Sequence, residues 1–411
     1  MKDRENCSEM DDFKSEFLYT QKLYPTINNE DLLEFRIPPN TKGQLDLNNV
    51  VLHFLVTLPK ADKADEKVCA QNFFAAKQFS SLEIRLNGEA VNRRSCANEY
   101  FLASYFTNIL NYAIGYLYTG KRPAGIFDFV QQKTSVYLQY DTPIKQQFIS
   151  SRRFINSDYK DFEMQMTLDS TLFNTNDLLP SNTAVDLSFE RAKSGSSVLL
   201  LTNGTMAAAE KPLPLRDCYL LLPFVKDEKM FHLERNAIQR PLKLKFDDYS
   251  IKRFNLPKGS SSVMMSDILS GPLPPKIFWA VQSIGCYTGS CKESSTRFER
   301  HKMQKANMYI DGNEVSDYPV TMNDLNVTQP FTKFLATANM KNNGYLSQRV
   351  LPQEYFEANF ILGASIEENT NGNISFEFIF DDAVTEDLVL IVCSIYDRTI
   401  RIDHNRNFQV T

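Results

Sequence analysis

Two short passages constrain this chain more than any other feature, because they are the same element written twice. Leu82-Glu83-Ile84-Arg85-Leu86-Asn87-Gly88-Glu89-Ala90-Val91 and Met308-Tyr309-Ile310-Asp311-Gly312-Asn313-Glu314-Val315 each run as a strand into a tight turn. Asn-Gly and Asp-Gly are the pairs that most cheaply supply positive φ in a two-residue hairpin. Ahead of each hairpin lies an apolar strand, Val50 to Phe54 in the first half and Ile277-Phe278-Trp279-Ala280-Val281 in the second. The second of these follows Gly271-Pro272-Leu273-Pro274-Pro275. Behind each hairpin lies a helical stripe: Phe101, Leu102, Tyr105, Phe106, Ile109 and Leu110, then the shorter Phe331, Phe334 and Leu335. Further upstream, Phe35-Arg36-Ile37-Pro38-Pro39 is matched with Phe254-Asn255-Leu256-Pro257-Lys258-Gly259, each read as a strand that proline ends by removing a ladder donor. Corresponding features lie about 220 residues apart and in one order, which is the mark of an internal repeat. The chain is expected to hold two copies of one β-rich unit.

Length and composition suit that reading. The 411 residues suffice for two units of about 200 residues, a common size for all-β sandwiches. Phe (30) and Tyr (18) far outnumber Trp (1), and such side chains favour half-buried pleated surfaces. A net charge of -5 argues against a chain whose main work is wrapping nucleic acid, which needs a basic footprint. The seven cysteines, at 7, 69, 96, 218, 286, 291 and 393, are odd in number and scattered, so reduced thiols in an intracellular setting are expected rather than a disulfide framework. The longest apolar run, Leu388 to Tyr396, is too short to span a membrane and fits a buried strand. Met1 to Asn6 lack a signal-peptide core, and the sequons at Asn203, Asn326 and Asn373 are read as coincidental.

In chain order, residues 1 to 30 are polar and acidic and read as a flexible arm. The first unit is expected over residues 31–205. Its later strands alternate through Phe162, Met164, Met166 and Leu168, then Val185, Leu187 and Phe189. The polar segment between Arg191 and Pro214 is read as the boundary. The second unit, 206–411, is expected to open with Tyr219 to Val225 and a helix near Asp227 to Ile238, and to close with strands at Ile374 to Phe380 and Leu388 to Tyr396.

The sequence offers little chemistry. Gly115-Tyr116-Leu117-Tyr118-Thr119-Gly120-Lys121-Arg122 matches a phosphate loop up to its Lys, but Arg122 stands where Ser or Thr should hold magnesium, a helical stripe precedes it and Pro123 follows. His53, His232, His301 and His404 never fall at metal-ligand spacing, and Cys286 and Cys291 lack a second pair. Glu293, Glu299 and Asp311 could in principle act as paired carboxylates on a glycan. Solvated loops explain them equally well. A structural or binding role without cofactor, metal or catalytic residues is expected.

Several of these passages resemble the double jelly-roll major capsid proteins of Polinton/Maverick elements, adintoviruses and virophage-like viruses. Ile400-Arg401-Ile402-Asp403-His404-Asn405-Arg406-Asn407 is similar to their terminal signature, commonly Ile-Glu-Ile-Asp-Arg-Asn-Arg-Asn, with Arg401 and His404 as departures. Leu273-Pro274-Pro275-Lys276-Ile277 looks like their Leu-Pro-Arg-Arg-Ile, Met308-Tyr309-Ile310-Asp311-Gly312 like their Leu-Tyr-Val-Asp-Gly hairpin, and Phe254-Asn255-Leu256-Pro257 like their strand ending in Ile-Pro. The resemblance runs in matching order from Leu45 to Asn407, diffusely in the first half; the linker Arg191 to Glu210 matches nothing in the family.

It implies an all-β chain with short helices, built as two tandem eight-stranded antiparallel jelly rolls. It further implies a homotrimeric, pseudo-hexameric capsomer that tiles an icosahedral shell in the virion capsid, assembled inside the host cell. Neighbouring capsomers and a minor capsid or single jelly-roll penton protein would be partners, with no sequence-specific nucleic acid. The aromatic-rich connections Tyr112 to Phe129 and Phe331 to Phe360 are the expected subunit contacts, with Phe127, Phe129, Phe331, Phe334, Tyr355 and Phe356 as candidate interface residues. The alternatives are a double β-sandwich that binds or hydrolyses glycans, and a transient assembly scaffold of the same fold.

Overall fold

The computed structural model describes residues 15–410 apart from the stretches 41–42, 60–67, 92–98, 112–160, 195–197, 202–210, 228–240, 290–294, 324–327 and 339–358 and positions 58, 170, 176, 316, 404 and 406. In chain order the first half gives β1 (Ser15–Leu23), β2 (Ile27–Asn28), β3 (Leu32–Ile37), β4 (Gln44–Leu45), β5 (Val51–Thr57) and β6 (Val68–Ala70). β7 (Phe79–Leu86), β8 (Glu89–Ala90), helix α1 (Glu99–Asn111), β9 (Asp161–Thr167), β10 (Val185–Arg191), β11 (Leu199–Leu201) and β12 (Leu215–Asp227) follow. The second half begins with β13 (Leu242–Leu256), β14 (Ser262–Pro272), β15 (Lys276–Ser283), helix α2 (Ile284–Thr288), β16 (Met303–Ile310), β17 (Asn313–Glu314) and β18 (Val320–Thr321). It ends with helix α3 (Thr328–Thr337), β19 (Ile361–Ser365), β20 (Asn371–Phe380), β21 (Leu388–Ile402) and β22 (Phe408–Val410).

The sheets repeat one plan. In the first half one sheet runs β1-β12-β5-β9 and the facing one β3-β10-β7-β8; in the second half the orders are β13-β21-β15-β19 and β14-β20-β16-β17. Numbering the eight strands of each unit in chain order, both units read 1-8-3-6 against 2-7-4-5, and the pairs are antiparallel. That is a long hairpin whose strand pairs fall alternately into two sheets, a jelly roll. Short strands add to the edges, and β6 with β11 forms a separate two-stranded patch.

Local sequence explains the elements. In β7 Leu82, Ile84 and Leu86 are buried while Glu83 and Arg85 take the wet face and pair with each other at 2.6 Å. β10 alternates without a break, burying Val185, Leu187, Phe189 and Arg191. Both hairpins turn as expected: Asn87 and Gly88 have φ of 48° and 90°, Asp311 and Gly312 of 50° and 79°. Positive φ at both central residues matches a type I′ turn, whose twist suits the flanking strands.

Aromatic side chains join the sheets of each roll. In the first, Phe79 lies 4.9 Å from Phe189 and 6.1 Å from Phe54 across the sandwich. In the second, Trp279 lies 4.5 Å from Phe376 and 5.5 Å from Tyr318. Rings at these separations contribute about 0.5–1.5 kcal/mol beyond their buried area.

The pairing corrects three expectations. Residues 1–30 are not all arm, because β1 pairs with β12 from Ser15 opposite Asp227 to Leu23 opposite Leu220. For the same reason Tyr219 to Val225 closes the first roll rather than opening the second, so the first roll extends past residue 205 to Asp227. Phe35 and Phe254 are not counterparts: Phe35 lies on the second strand of its roll and Phe254 on the first strand of its own. The helix expected near Asp227 to Ile238 lies almost wholly outside the described residues.

The rolls meet along α1. Tyr105 Oη donates to Asn359 Oδ1 at 2.6 Å, and its ring lies 5.1 Å from Phe298. Asn111 Nδ2 donates to Tyr249 Oη at 2.9 Å. Gln71 Oε1 accepts from both the backbone N–H and the hydroxyl of Ser295 at 3.1 Å, and Thr175 Oγ1 donates to the Lys245 carbonyl at 3.1 Å. A helix buried from Tyr100 to Leu110, with no charged side chain in that stretch, fits this central position.

Candidate interaction surfaces

Two of the candidate carboxylates, Glu299 and Asp311, have other partners in the described structure. Glu299 is in an ion pair with Arg297, while Asp311 Oδ1 accepts the Asn373 backbone N–H at 2.8 Å and so braces its own hairpin. Glu293, Cys291 and the Gly115–Arg122 string lie outside the described residues. Cys286 is buried in α2, where its N–H is capped by Ser283 Oγ at 3.1 Å. Among the described residues no group of three or more His, Cys, Asp and Glu is placed to hold a metal, and no helix is long and apolar enough to cross a membrane.

Of the six aromatic interface candidates, Phe127, Phe129, Tyr355 and Phe356 lie outside the described residues. Phe334 is a correction: it is 0% exposed, with its ring 6.1 Å from Phe278, so it belongs to the core of the second roll. Its position on α3 faces β15 and β19, and a residue sealed there has no area left for another chain. Phe331, one turn earlier, is half-buried against the same core and keeps part of its ring accessible.

Exposed apolar side chains gather instead on edge strands. Phe17 on β1 and Tyr24 just beyond it are each 61% exposed, and Met264 on β14 is 56% exposed. Among the described residues β1 and β14 border their sheets, the position at which a strand presents a row of backbone donors and acceptors. Tyr24 stands edge-on to Tyr219 at 6.2 Å, and Tyr219 stacks on His53 at 4.1 Å. Lys22 Nζ covers the Tyr219 ring at 3.6 Å, so this cluster is no open platform for a sugar face.

Two clefts among the described residues lie away from these strands. One, of about 770 Å³, lies where the rolls meet and is lined by Asn111, Thr175 and Asp177 from the first and Lys245, Asp247 and Asp397 from the second. Asp247 and Asp397 face each other in register on β13 and β21. Burial, then the Asp397 charge, pushes the Asp247 carboxyl up, with Lys276 opposing. Burial also raises Asp248, against the pull of Arg398 at 3.2 Å.

The other cleft, of about 480 Å³, sits at one end of the first roll among Asn28, Glu30, Thr57, Arg191, Lys211 and Leu213. Arg191 is 3% exposed and donates from Nη2 to the Leu213 carbonyl, while its Nε has no hydrogen-bond partner among the described residues. Burial lowers its guanidinium to about 10, with Cys218 and Glu30 pulling the other way. Sequence reasoning missed Arg191, yet its signal was present: Val185, Leu187 and Phe189 set a period of two that puts residue 191 on the inward face.

Comparison with known proteins gives one kind of match. No protein-family model matches the sequence, and no curated protein matches it. Among solved structures the chain is similar to the Sputnik virophage structure, with a TM-score of 0.62 at 10% identity, covering 96% of this chain and 89% of that one. It is similar to the PBCV-1 virus capsid, with a TM-score of 0.57 at 11% identity over 97% and 96%. It is also similar to the mavirus major capsid protein, with a TM-score of 0.54 at 12% identity over 95% and 90%. At such identities the likeness is one of fold, and it extends over both rolls.

Proposed function

We propose that this chain is the major building block of an icosahedral viral shell. The observation that carries the reading is the exact repetition of one strand order, 1-8-3-6 against 2-7-4-5, in both halves of a single chain whose likeness to the three capsid-derived structures spans both copies. Two similar rolls side by side present two similar outlines, so three chains around an axis form a block of nearly sixfold outline. Such blocks tile a surface that true hexamers would tile.

In this reading the chain works as a homotrimer, contacts neighbouring trimers and a smaller single-roll protein at the shell vertices, and occupies the virion capsid. Phe127, Phe129, Tyr355, Phe356 and the accessible part of Phe331 are assigned to the trimer faces, because obligate interfaces bury thousands of Å² around apolar centres. Residues 15–227 form the first roll, and the second begins with β13.

Light scattering on the purified protein, followed by negative-stain microscopy of the same peak, tests the reading. The expected mass is three times 47.2 kDa with hexagonal outlines. A stable monomer at working concentration overturns it.

A further inference from the structure

Arg191 poses a physical problem that the rest of the first roll does not solve. It occupies an inward position at the end of β10, it is 3% exposed, and its Nε has no hydrogen-bond partner among the described residues. None of the ion pairs found among the described residues includes it, although Glu30, which lines the same cleft, acts on it through its charge. A buried charge without an ion-pair partner is costly to hold. The residue therefore sits in a cleft of about 480 Å³ with unmet demand for an anion. Lys211, exposed on the rim of the same cleft, adds a second positive charge. Asn28 and Thr57 offer further polar side chains along the wall.

The chain carries a matching segment. Residues 1–14 include Asp3, Glu5, Glu9, Asp11 and Asp12 against Lys2, Arg4 and Lys14. They join β1 at Ser15, which pairs opposite Asp227 at the far end of β12. The cleft gathers Leu213 and Leu215, at the near end of the same strand. β12 has 13 residues. Its length is therefore about 40 Å at some 3.3 Å per residue. Fourteen residues reach at most about 50 Å when fully extended. Glu9, Asp11 and Asp12 lie at most six residues from Ser15, a reach of about 20 Å, so they fall short of their own cleft and are free to enter that of another chain.

We propose that the Arg191 cleft receives the acidic first residues of a second copy of the chain, a carboxylate of that segment pairing with the Arg191 guanidinium and another with Lys211. The proposal rests on the assembly reading only in taking the segment from a second copy. Each shell subunit then latches onto a neighbour through a charge pair that stays unmade in the isolated chain.

Full-length chains labelled with nitrogen-15 and unlabelled chains are mixed, assembled and treated with a carbodiimide, which joins a carboxylate directly to a contacting lysine. Mass spectrometry is expected to find Lys211 joined to a carboxylate of residues 1–14, with the two peptides drawn from differently labelled chains. Arg191→Met should lower that yield at least tenfold. Should Arg191→Met fail to fold, a chain carrying Glu9→Gln, Asp11→Asn and Asp12→Asn leaves both rolls untouched and is expected to lose the link equally. Links confined to one chain, Lys211 links to other carboxylates, or a yield indifferent to both variants each overturn the proposal. Native mass measured on the same samples separates the two readings: trimers without the link sink the latch alone, whereas monomers sink the assembly reading.

Discussion

α1 and α3 occupy the same place in their respective rolls, between the fifth and sixth strands, yet they meet different surroundings. α1 is buried from Tyr100 to Leu110, with even Ser104, Thr107 and Asn108 enclosed. Two of its polar side chains are met from within the first roll, Asn108 Nδ2 and Ser104 Oγ donating to Asp169 Oδ2 at 2.8 and 3.2 Å. α3 buries one face through Pro330, Phe334 and Thr337 and leaves Lys333 above the Tyr318 ring at 3.7 Å. One topology has thus given a central joint in one copy and an outer brace in the other. Duplicated strand order does not imply duplicated mechanics, because a helix takes its role from what lies outside its own roll. The asymmetry also couples the rolls, since α1 is completed only by Phe298, Tyr249 and Asn359 of the second roll.

The contrast can be broken most forcefully at the centre of α1. Phe106→Asp places an unpaired charge at a position 0% exposed, and loss of soluble folded protein is expected; Phe106→Ala should cost about 3–5 kcal/mol in urea unfolding. Phe331→Ala on α3, half-buried, should cost about 1 kcal/mol. Equal costs for the two alanine variants would contradict the contrast.

A smaller effect is expected where α3 seats on β19. A Cβ at Gly363 would meet Phe278 Cδ1 at 2.9 Å and Thr337 Cβ at 3.2 Å, so Gly363→Ala must push the helix or the ring aside. Overpacking of this kind costs about 1–3 kcal/mol. Thermal unfolding should register it while the α1 joint, followed through Tyr105 hydrogen exchange or cross-linking, stays intact.

Tyr105→Phe sharpens the comparison by removing one inter-roll hydrogen bond and nothing else. A loss of about 1 kcal/mol is expected, read as weaker coupling between the rolls in partial proteolysis. No change in either stability or proteolysis would show that ring packing alone holds the joint.

The smallest effect belongs to the cleft between the rolls. Because the Asp247 carboxyl is raised in the folded chain, the folded state holds its proton to higher pH than the unfolded chain does. Stability contributed at this site is therefore greatest at low pH and declines as pH rises from the usual carboxylate range through the folded value. Asp247→Asn should raise the melting temperature slightly at neutral pH, and the gain should vanish near pH 3. A gain that is independent of pH would point to packing rather than charge.

The parts of this fold that were legible in the sequence are those set by neighbours along the chain. Both hairpins, the Ile277 to Val281 strand and the α1 stripe follow from turn chemistry and periodicity within ten or so residues, and each was found where expected. β12 was assigned to the wrong roll because its alternation fits either sandwich, and only pairing with β1 and β5 some 160 to 200 residues away decides. β1 escaped notice because it borders a sheet and leaves Phe17, Tyr19 and Thr20 exposed, so its pattern lacks a clean inward face. Phe334 was read as a contact residue because an aromatic stripe does not say whether its partner is another chain or its own core. Arg191 shows the reverse: its charge suggests a boundary, whereas the alternation of β10 places it inside.

β13 and β21 pair over 15 consecutive registers from Leu242 opposite Ile402 to Leu256 opposite Leu388 without a bulge, whereas β12 is interrupted against both β1 and β5. A ladder of that length is a strut about 50 Å long. Tension along it is shared by every rung at once, while a pull across it opens the rungs one at a time from an end. A load drawn along this one direction of the second roll therefore meets an unbroken ladder, whereas the same load on the first roll meets the bulges of β12 before it is shared.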